Sequence, residues 1–134
     1  MITKEIVNKI AYSVIGAAIE VHKELGPGLL ESFYELCLIE ELRTRGHSVK
    51  SQQAIPVFYK GREIKTYHVP DLIVDDILIV ELKAVEALNP VFKAQLLTYL
   101  KLTGLPKGLL INFNCSNIVS QMVPMVTDKF AELP

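Results

Sequence analysis

Ile77-Leu78-Ile79-Val80 runs directly into Glu81-Leu82-Lys83. A strand that is apolar on consecutive positions is covered on both faces, so this segment predicts a central strand with a layer on either side. Alternation along the strand puts Glu81 and Lys83 on one face and Leu82 on the other. Charges at such a place are costly unless they are paired or bound to something. The simpler account is an i,i+2 ion pair at a strand end; the other is a site that binds a charged ligand.

The rest of the chain supplies the layers. Residues 3–25 read as a helix, with Ile6, Ile10, Val14, Ala17 and Val21 at three- and four-residue spacing. Val7, Ala11, Ile15, Ala18 and Ile19 widen that stripe, so cover on two sides is expected. Thr3 is the expected N-cap, and Gly26-Pro27-Gly28 ends the helix. A second helix is expected over 30–45, ending at Gly46, with Leu30, Phe33, Tyr34, Cys37, Leu38 and Leu42 as its apolar stripe. The period then changes. Residues 53–59 and 63–74 read as strands joined by a Lys60-Gly61 turn, and Asp75-Asp76 turns the chain into the strand over 77–84. Asn89-Pro90 starts a helix over 91–103 that stops at Gly104. A strand over 107–112 follows, then an edge strand over 118–126 marked by Pro124. The order ααβββαβ(β) predicts an α/β (α+β) fold with a mixed central sheet, and 134 residues predict one domain.

Composition narrows the function. With 50% apolar and 22% charged residues, the chain is not disordered. Fourteen basic residues against fifteen acidic ones, net −1, exclude an indiscriminate polycation. The layout is uneven, however. Residues 20–41 carry six acids and one lysine, residues 43–65 six basic residues and one acid, and residues 71–86 five acids and one lysine. That pattern fits ordinary solvated faces, and it equally fits a metal site beside an anion-binding strip. Cys37 and Cys115 make neither a disulfide framework nor a zinc site and read as free thiols of a cytoplasmic protein. No apolar run is long enough to cross a membrane. Residues 10–19 after Lys4 and Lys9 have the outline of a signal-peptide core, but Glu5 and the helical sequence continuing to Leu25 favour an amphipathic first helix.

Asp71, between Pro70 and Leu72, is the second polar residue that needs a reason, because Asp is disfavoured in strands. Its relation to Glu81 depends on the turn between them. A two-residue turn at Asp75-Asp76 opposes Asp71 to Val80 and leaves Glu81 on the other face. An odd connection or a bulge opposes Asp71 to Glu81 and brings two carboxylates and Lys83 together. Glu31, at the start of the second helix, shares a face with Tyr34 and Leu38; ordinary helix-terminus electrostatics, worth about 0.3–1 kcal/mol, accounts for it on its own. Joined together, these residues suit metal-assisted hydrolysis. A hard cation such as Mg²⁺ or Mn²⁺ takes oxygen ligands from Asp71, Glu81 and a strand carbonyl such as that of Leu82. A nearby lysine orients or deprotonates water. His22, near a helix C-terminus, and His68, alternating away from Asp71, are expected in surface or packing roles.

At these residues the chain resembles a known family. Pro70-Asp71 followed by Glu81-Leu82-Lys83 looks like the signature of the PD-(D/E)XK, or restriction-endonuclease-like, nuclease superfamily. Gln95-Leu96-Leu97-Thr98-Tyr99 is similar to the QxxxY motif of its RecB-like branch. Gly28 to Tyr34 reads G-L-L-E-S-F-Y and matches the motif that names the GxxExxY family placed in that superfamily. The resemblance implies a core of αβββαβ order with an extra N-terminal helix. It implies that Asp71 and Glu81 bind the metal, that Glu31 completes the acidic cluster, that Lys83 is the catalytic lysine, and that Gln95 and Tyr99 flank the site.

Two functions follow as expectations. The first is a Mg²⁺- or Mn²⁺-dependent nuclease acting on DNA more than RNA, with Arg43, Arg45, Lys50, Lys60, Arg62, Lys65 and, from the helix after Lys83, Lys93 and Lys101 as phosphate contacts. The second is a noncatalytic nucleic-acid- or protein-binding module that keeps the fold. The high apolar content also favours self-association, with a homodimer built on the first helix or the final strand.

Overall fold

The computed structural model describes residues 1–65 and 69–134. The expectation for His68, and part of the strand expected over 63–74, fall on residues outside that description.

Helix α1, Lys4–Leu25, begins where the Thr3 hydroxyl accepts the Ile6 N–H at 3.2 Å, and it ends at Gly26, whose φ of 67° suits a residue without Cβ. It buries Val7, Ile10, Ala11, Val14, Ala17, Ala18 and Val21. Ile6 and Ile19 are each 39% exposed and Tyr12 is 80% exposed. The second helix and the sheet both pack against α1, so the cover on two sides expected from the widened stripe holds for Val7, Ala11 and Ala18, whereas Ile6 and Ile19 lie at its margin.

Helix α2, Glu31–Thr44, buries Tyr34, Leu38, Ile39 and Leu42. Leu30 and Phe33, expected on the buried stripe, are exposed. Leu30 is the residue before the helix, and Phe33 stands about 100° round the helix from Tyr34, on the outer side. Tyr34 organises the entry to α2. Its hydroxyl donates to the Gly26 carbonyl at 2.6 Å and accepts the Leu29 N–H at 3.1 Å, while its ring stacks on Phe113 at 4.7 Å. Each hydrogen bond of this kind contributes about 1 kcal/mol, and together they fix the turn that delivers Glu31.

The strands are β1 (Val49–Ser51), β2 (Val57–Tyr59), β3 (Arg62–Ile64), β4 (Leu72–Val74), β5 (Leu78–Lys83), β6 (Lys107–Asn112) and β7 (Met122–Val126). Helix α3, Pro90–Thr103, links β5 to β6, and a short helix α4, Asp128–Ala131, follows β7. The main sheet has the order β1-β4-β5-β6-β7; β5 and β6 are parallel and the other pairs antiparallel. It is a mixed sheet with the layering expected for a strand apolar on both faces. Val80 and Leu82 pack with Val14, Leu38 and Leu42 of α1 and α2, whereas Ile79 packs with Leu96, Tyr99 and Leu100 of α3.

Three sequence boundaries are corrected. Residues 53–56 carry no strand, and β2 and β3 form a separate hairpin around the Lys60-Gly61 turn. The strand that joins the sheet at this edge is β1, which lies before the expected one. The segment 118–126 divides into a 3₁₀ turn, Ile118–Gln121, and β7, which is an edge strand containing Pro124.

Register decides the site. Leu72 pairs with Val80 and Val74 with Leu78, so β4 and β5 are joined by an odd, three-residue connection. Asp75 and Asp76 take φ of 53° and 56°, the Ile77 N–H closes on the Val74 carbonyl at 3.0 Å, and Ile77 is the additional residue. Long-range contacts hold this turn. Asp75 Oδ1 accepts the Ser48 N–H at 2.9 Å, the Asp75 N–H donates to the Ser48 carbonyl at 2.8 Å, and Asp75 Oδ2 meets His47 Nδ1 at 2.6 Å. His47 Nε2 in turn lies 2.7 Å from the Ser13 hydroxyl on α1.

Candidate nuclease site

The three-residue connection carries Asp71 opposite Glu81. The β1–β4 register, with Ser51 opposite Leu72, continues to place Gln52 opposite Asp71. Gln52, Asp71 and Glu81 thus lie in one row at the end of the sheet from which α3 departs.

Asp71 and Glu81 are interlocked. The Asp71 N–H donates to Glu81 Oε1 at 2.8 Å, and the Leu82 N–H donates to Asp71 Oδ2 at 2.8 Å. Glu81 is 4% exposed, on the α3 side of the sheet. Burial, then the Asp71 charge, pushes its carboxyl up to about 8, against the smaller opposing effects of the Asp71 N–H and Lys83. Glu31 feels the same field: burial and then Asp71 raise its carboxyl, and Lys83 lowers it. Lys83 is half-buried, with its ammonium 4.4 Å from the centre of the Phe92 ring. Helix α3 presents Gln95 and Tyr99 to this end of the sheet. Gln95 Nε2 donates to the Tyr99 hydroxyl at 3.2 Å. Burial and then Glu81 push the Tyr99 phenol up, opposed by hydrogen bonds with Gln95 and the Val69 backbone.

Asp71 and Glu81 meet in direct hydrogen-bond reach, and Glu31, Lys83, Gln95 and Tyr99 stand around them. Among the described residues, no three His, Cys, Asp or Glu side chains are gathered closely enough to hold an ion between them. The basic residues are dispersed. Arg43 donates to the Val49 carbonyl at 3.2 Å, Arg45 pairs with Glu41 at 3.0 Å, and Lys50 pairs with Asp76 at 2.6 Å. Arg43 lies roughly 18 Å along α2 from Glu31, at about 1.5 Å per residue. Lys60 lies over the Tyr59 ring at 5.5 Å, and Lys60, Arg62, Lys65, Lys93 and Lys101 are exposed. His22 Nε2 lies 2.7 Å from the Cys115 carbonyl and ties α1 to the segment after β6.

The structure adds two residues that the sequence reading did not single out. Glu35, one helical turn beyond Glu31, accepts Gln52 Nε2 at 2.9 Å and the Ser51 hydroxyl at 3.4 Å. Gln52 Nε2 also donates to Asp71 Oδ1 at 3.3 Å. The i,i+4 spacing could have flagged Glu35. Gln52 depended on β1, which the sequence did not reveal.

Helices on both faces of a mixed five-stranded sheet, with a carboxylate pair and a lysine at the strand ends, define a restriction-endonuclease-like fold. The family model of the PD-(D/E)XK nuclease superfamily matches residues 8–123, and the chain belongs to that superfamily. Comparisons with curated proteins and with solved structures found no match. No helix among the described residues is long and apolar enough to cross a membrane.

Proposed function

We propose that this chain is a divalent-metal-dependent nuclease of the GxxExxY family whose cation is held by Asp71 and Glu81. The observation that carries this reading is the interlocked carboxylate pair with the Glu81 carboxyl pushed up to about 8. Two adjacent carboxylates, one buried, gain most from a cation, and an all-oxygen donor set suits Mg²⁺ or Mn²⁺. A strand residue turns its N–H and C=O to the same edge, so the Leu82 carbonyl belongs on the Asp71 side as a further oxygen donor. When bound, the cation supplies Lewis-acid polarisation of a phosphodiester oxygen. Lys83, steadied by Phe92, orients the attacking water and takes its proton or stabilises the developing negative charge. Glu31 extends the acidic field, and Gln95 and Tyr99 line the side next to α3.

The substrate under this proposal is DNA in preference to RNA. Lys93, beside Phe92, and Lys60 and Arg62 on the β2–β3 hairpin are the phosphate contacts. Arg43, which donates to the Val49 carbonyl, and Arg45, paired with Glu41, are exposed and belong to the same set of phosphate contacts. Cys37 and Cys115 stand as free thiols, which fits a cytoplasmic setting, and the exposed Tyr12 and Ile19 on α1 offer a surface for a homodimer.

The test is incubation of the full chain with Mn²⁺ or Mg²⁺ and a panel of linear, single-stranded, branched and supercoiled DNA, with RNA alongside. Metal-dependent cleavage that Asp71→Asn abolishes is the expected result. Failure to bind metal together with failure to cleave any substrate favours the noncatalytic binding module.

A further inference from the structure

Gln52 stands outside the signature residues, yet it makes three polar contacts with the site. Its backbone N–H donates to the Asp71 carbonyl at 3.0 Å, and its side-chain amide donates to Asp71 Oδ1 at 3.3 Å and to Glu35 Oε1 at 2.9 Å. It does so with φ of 52°, a left-handed conformation that residues with side chains rarely adopt and that persists where the surroundings over-determine it. The side chain is exposed and belongs to neither core cluster, so apolar packing does not account for its placement.

The chemistry of the amide is specific to this arrangement. An NH₂ group carries two hydrogens, one for each carboxylate. A neutral donor holds Asp71 and Glu35 apart without cancelling the negative charge that attracts a cation. A lysine here would supply hydrogens but also a competing positive charge, and a serine would be too short to span both acceptors.

We propose that Gln52 is a positioning residue that fixes Asp71 for cation binding by bridging it to Glu35. The proposal deepens the nuclease reading and rests on it. Gln52 acts on the orientation of Asp71, and through Asp71 on metal affinity and turnover, with no direct part in binding nucleic acid.

The experiment is calorimetric titration of the metal-free full chain with Mn²⁺, followed by cleavage kinetics. Partners that orient metal ligands typically control affinity by about 10–100-fold. Gln52→Ala is expected to weaken Mn²⁺ binding about tenfold and to lower kcat with KM for DNA unchanged. Gln52→Gly, which relieves the left-handed backbone but lacks the amide, is expected to show the same loss. Gln53→Ala, the neighbouring exposed position, is expected to match wild type. Wild-type Mn²⁺ affinity in Gln52→Ala or Gln52→Gly, with binding lost in Asp71→Asn, would overturn the role of Gln52 and leave the cation site standing. A wild-type chain that binds no Mn²⁺ would overturn both.

Discussion

Glu81→Gln is expected to stabilise the metal-free protein at pH 8 and leave its stability at pH 5 almost unchanged. The folded state holds the Glu81 proton up to about pH 8, whereas the unfolded chain releases it in the ordinary carboxylate range. Between those limits the unfolded state binds fewer protons, so wild-type stability falls as pH rises. Gln mimics the protonated acid: its side-chain oxygen still accepts the Asp71 N–H, and it has no proton to lose. The gain at pH 8 is expected to be about 2 kcal/mol, below the several kcal/mol that 1.36 kcal/mol per pKa unit would give, because local relaxation and water entry around the charged carboxylate offset part of the burial cost. Urea unfolding at the two pH values measures it. Mg²⁺ is expected to reverse the ranking: at a hundred times its Kd it should stabilise wild type by about 2.7 kcal/mol and leave Glu81→Gln unaffected. A variant that is less stable than wild type at both pH values would contradict the burial argument.

Lys83→Ala is expected to lose cleavage by about 10²–10⁴-fold, the range for removing a positioned proton-transfer group. The fold should survive. Lys83 is half-buried, and its contact with the Phe92 ring is worth about 0.5–1 kcal/mol. Metal binding should survive too, because removing a positive charge beside Glu31 and Glu81 leaves the carboxylates more attractive to a cation. Lys83→Arg should not restore the rate, since the planar, bulkier guanidinium does not take the place of a compact ammonium beside the carboxylates. Single-turnover cleavage beside Mn²⁺ titration separates the two effects. Cleavage that persists in Lys83→Ala would remove the lysine from the chemistry.

The parts of the fold legible in the sequence are those fixed by local chemistry. Thr3 and Gly26 bound α1, Asn89-Pro90 and Gly104 bound α3, and the apolar run before Glu81 marks the strand covered on both faces. Strand β1 was not legible, because Val49-Lys50-Ser51 is three residues long and earns its place only by pairing with β4. The hairpin of β2 and β3 reads like sheet residues in composition but lies outside the main sheet.

The site was legible in its residue types and ambiguous in its geometry. Asp75-Asp76 is compatible with an even or an odd connection, and only the odd one brings Asp71 to Glu81. The choice is held by Ser48, His47 and Ser13, residues distant in sequence that no local pattern connects to the turn. Glu35 and Gln52 were hidden for the same reason: their part in the site exists only once β1 and α2 are packed against β4. The near-neutral net charge also changes meaning, since it sums an exposed basic stretch at 43–65 and the buried Glu81 beside Asp71.

The central claim is that Asp71 and Glu81 form a cation site, and proton-linked metal binding tests it most directly. Calorimetric titration of the metal-free protein with Mg²⁺ at pH 7, in two buffers of different ionisation enthalpy, counts the protons released. With the Glu81 carboxyl near 8, binding should release about one proton per site, falling towards none above pH 9. Both binding and release should vanish in Asp71→Asn and Glu81→Gln. Mg²⁺ binding that is unchanged in those variants, or absent from wild type, would contradict the account.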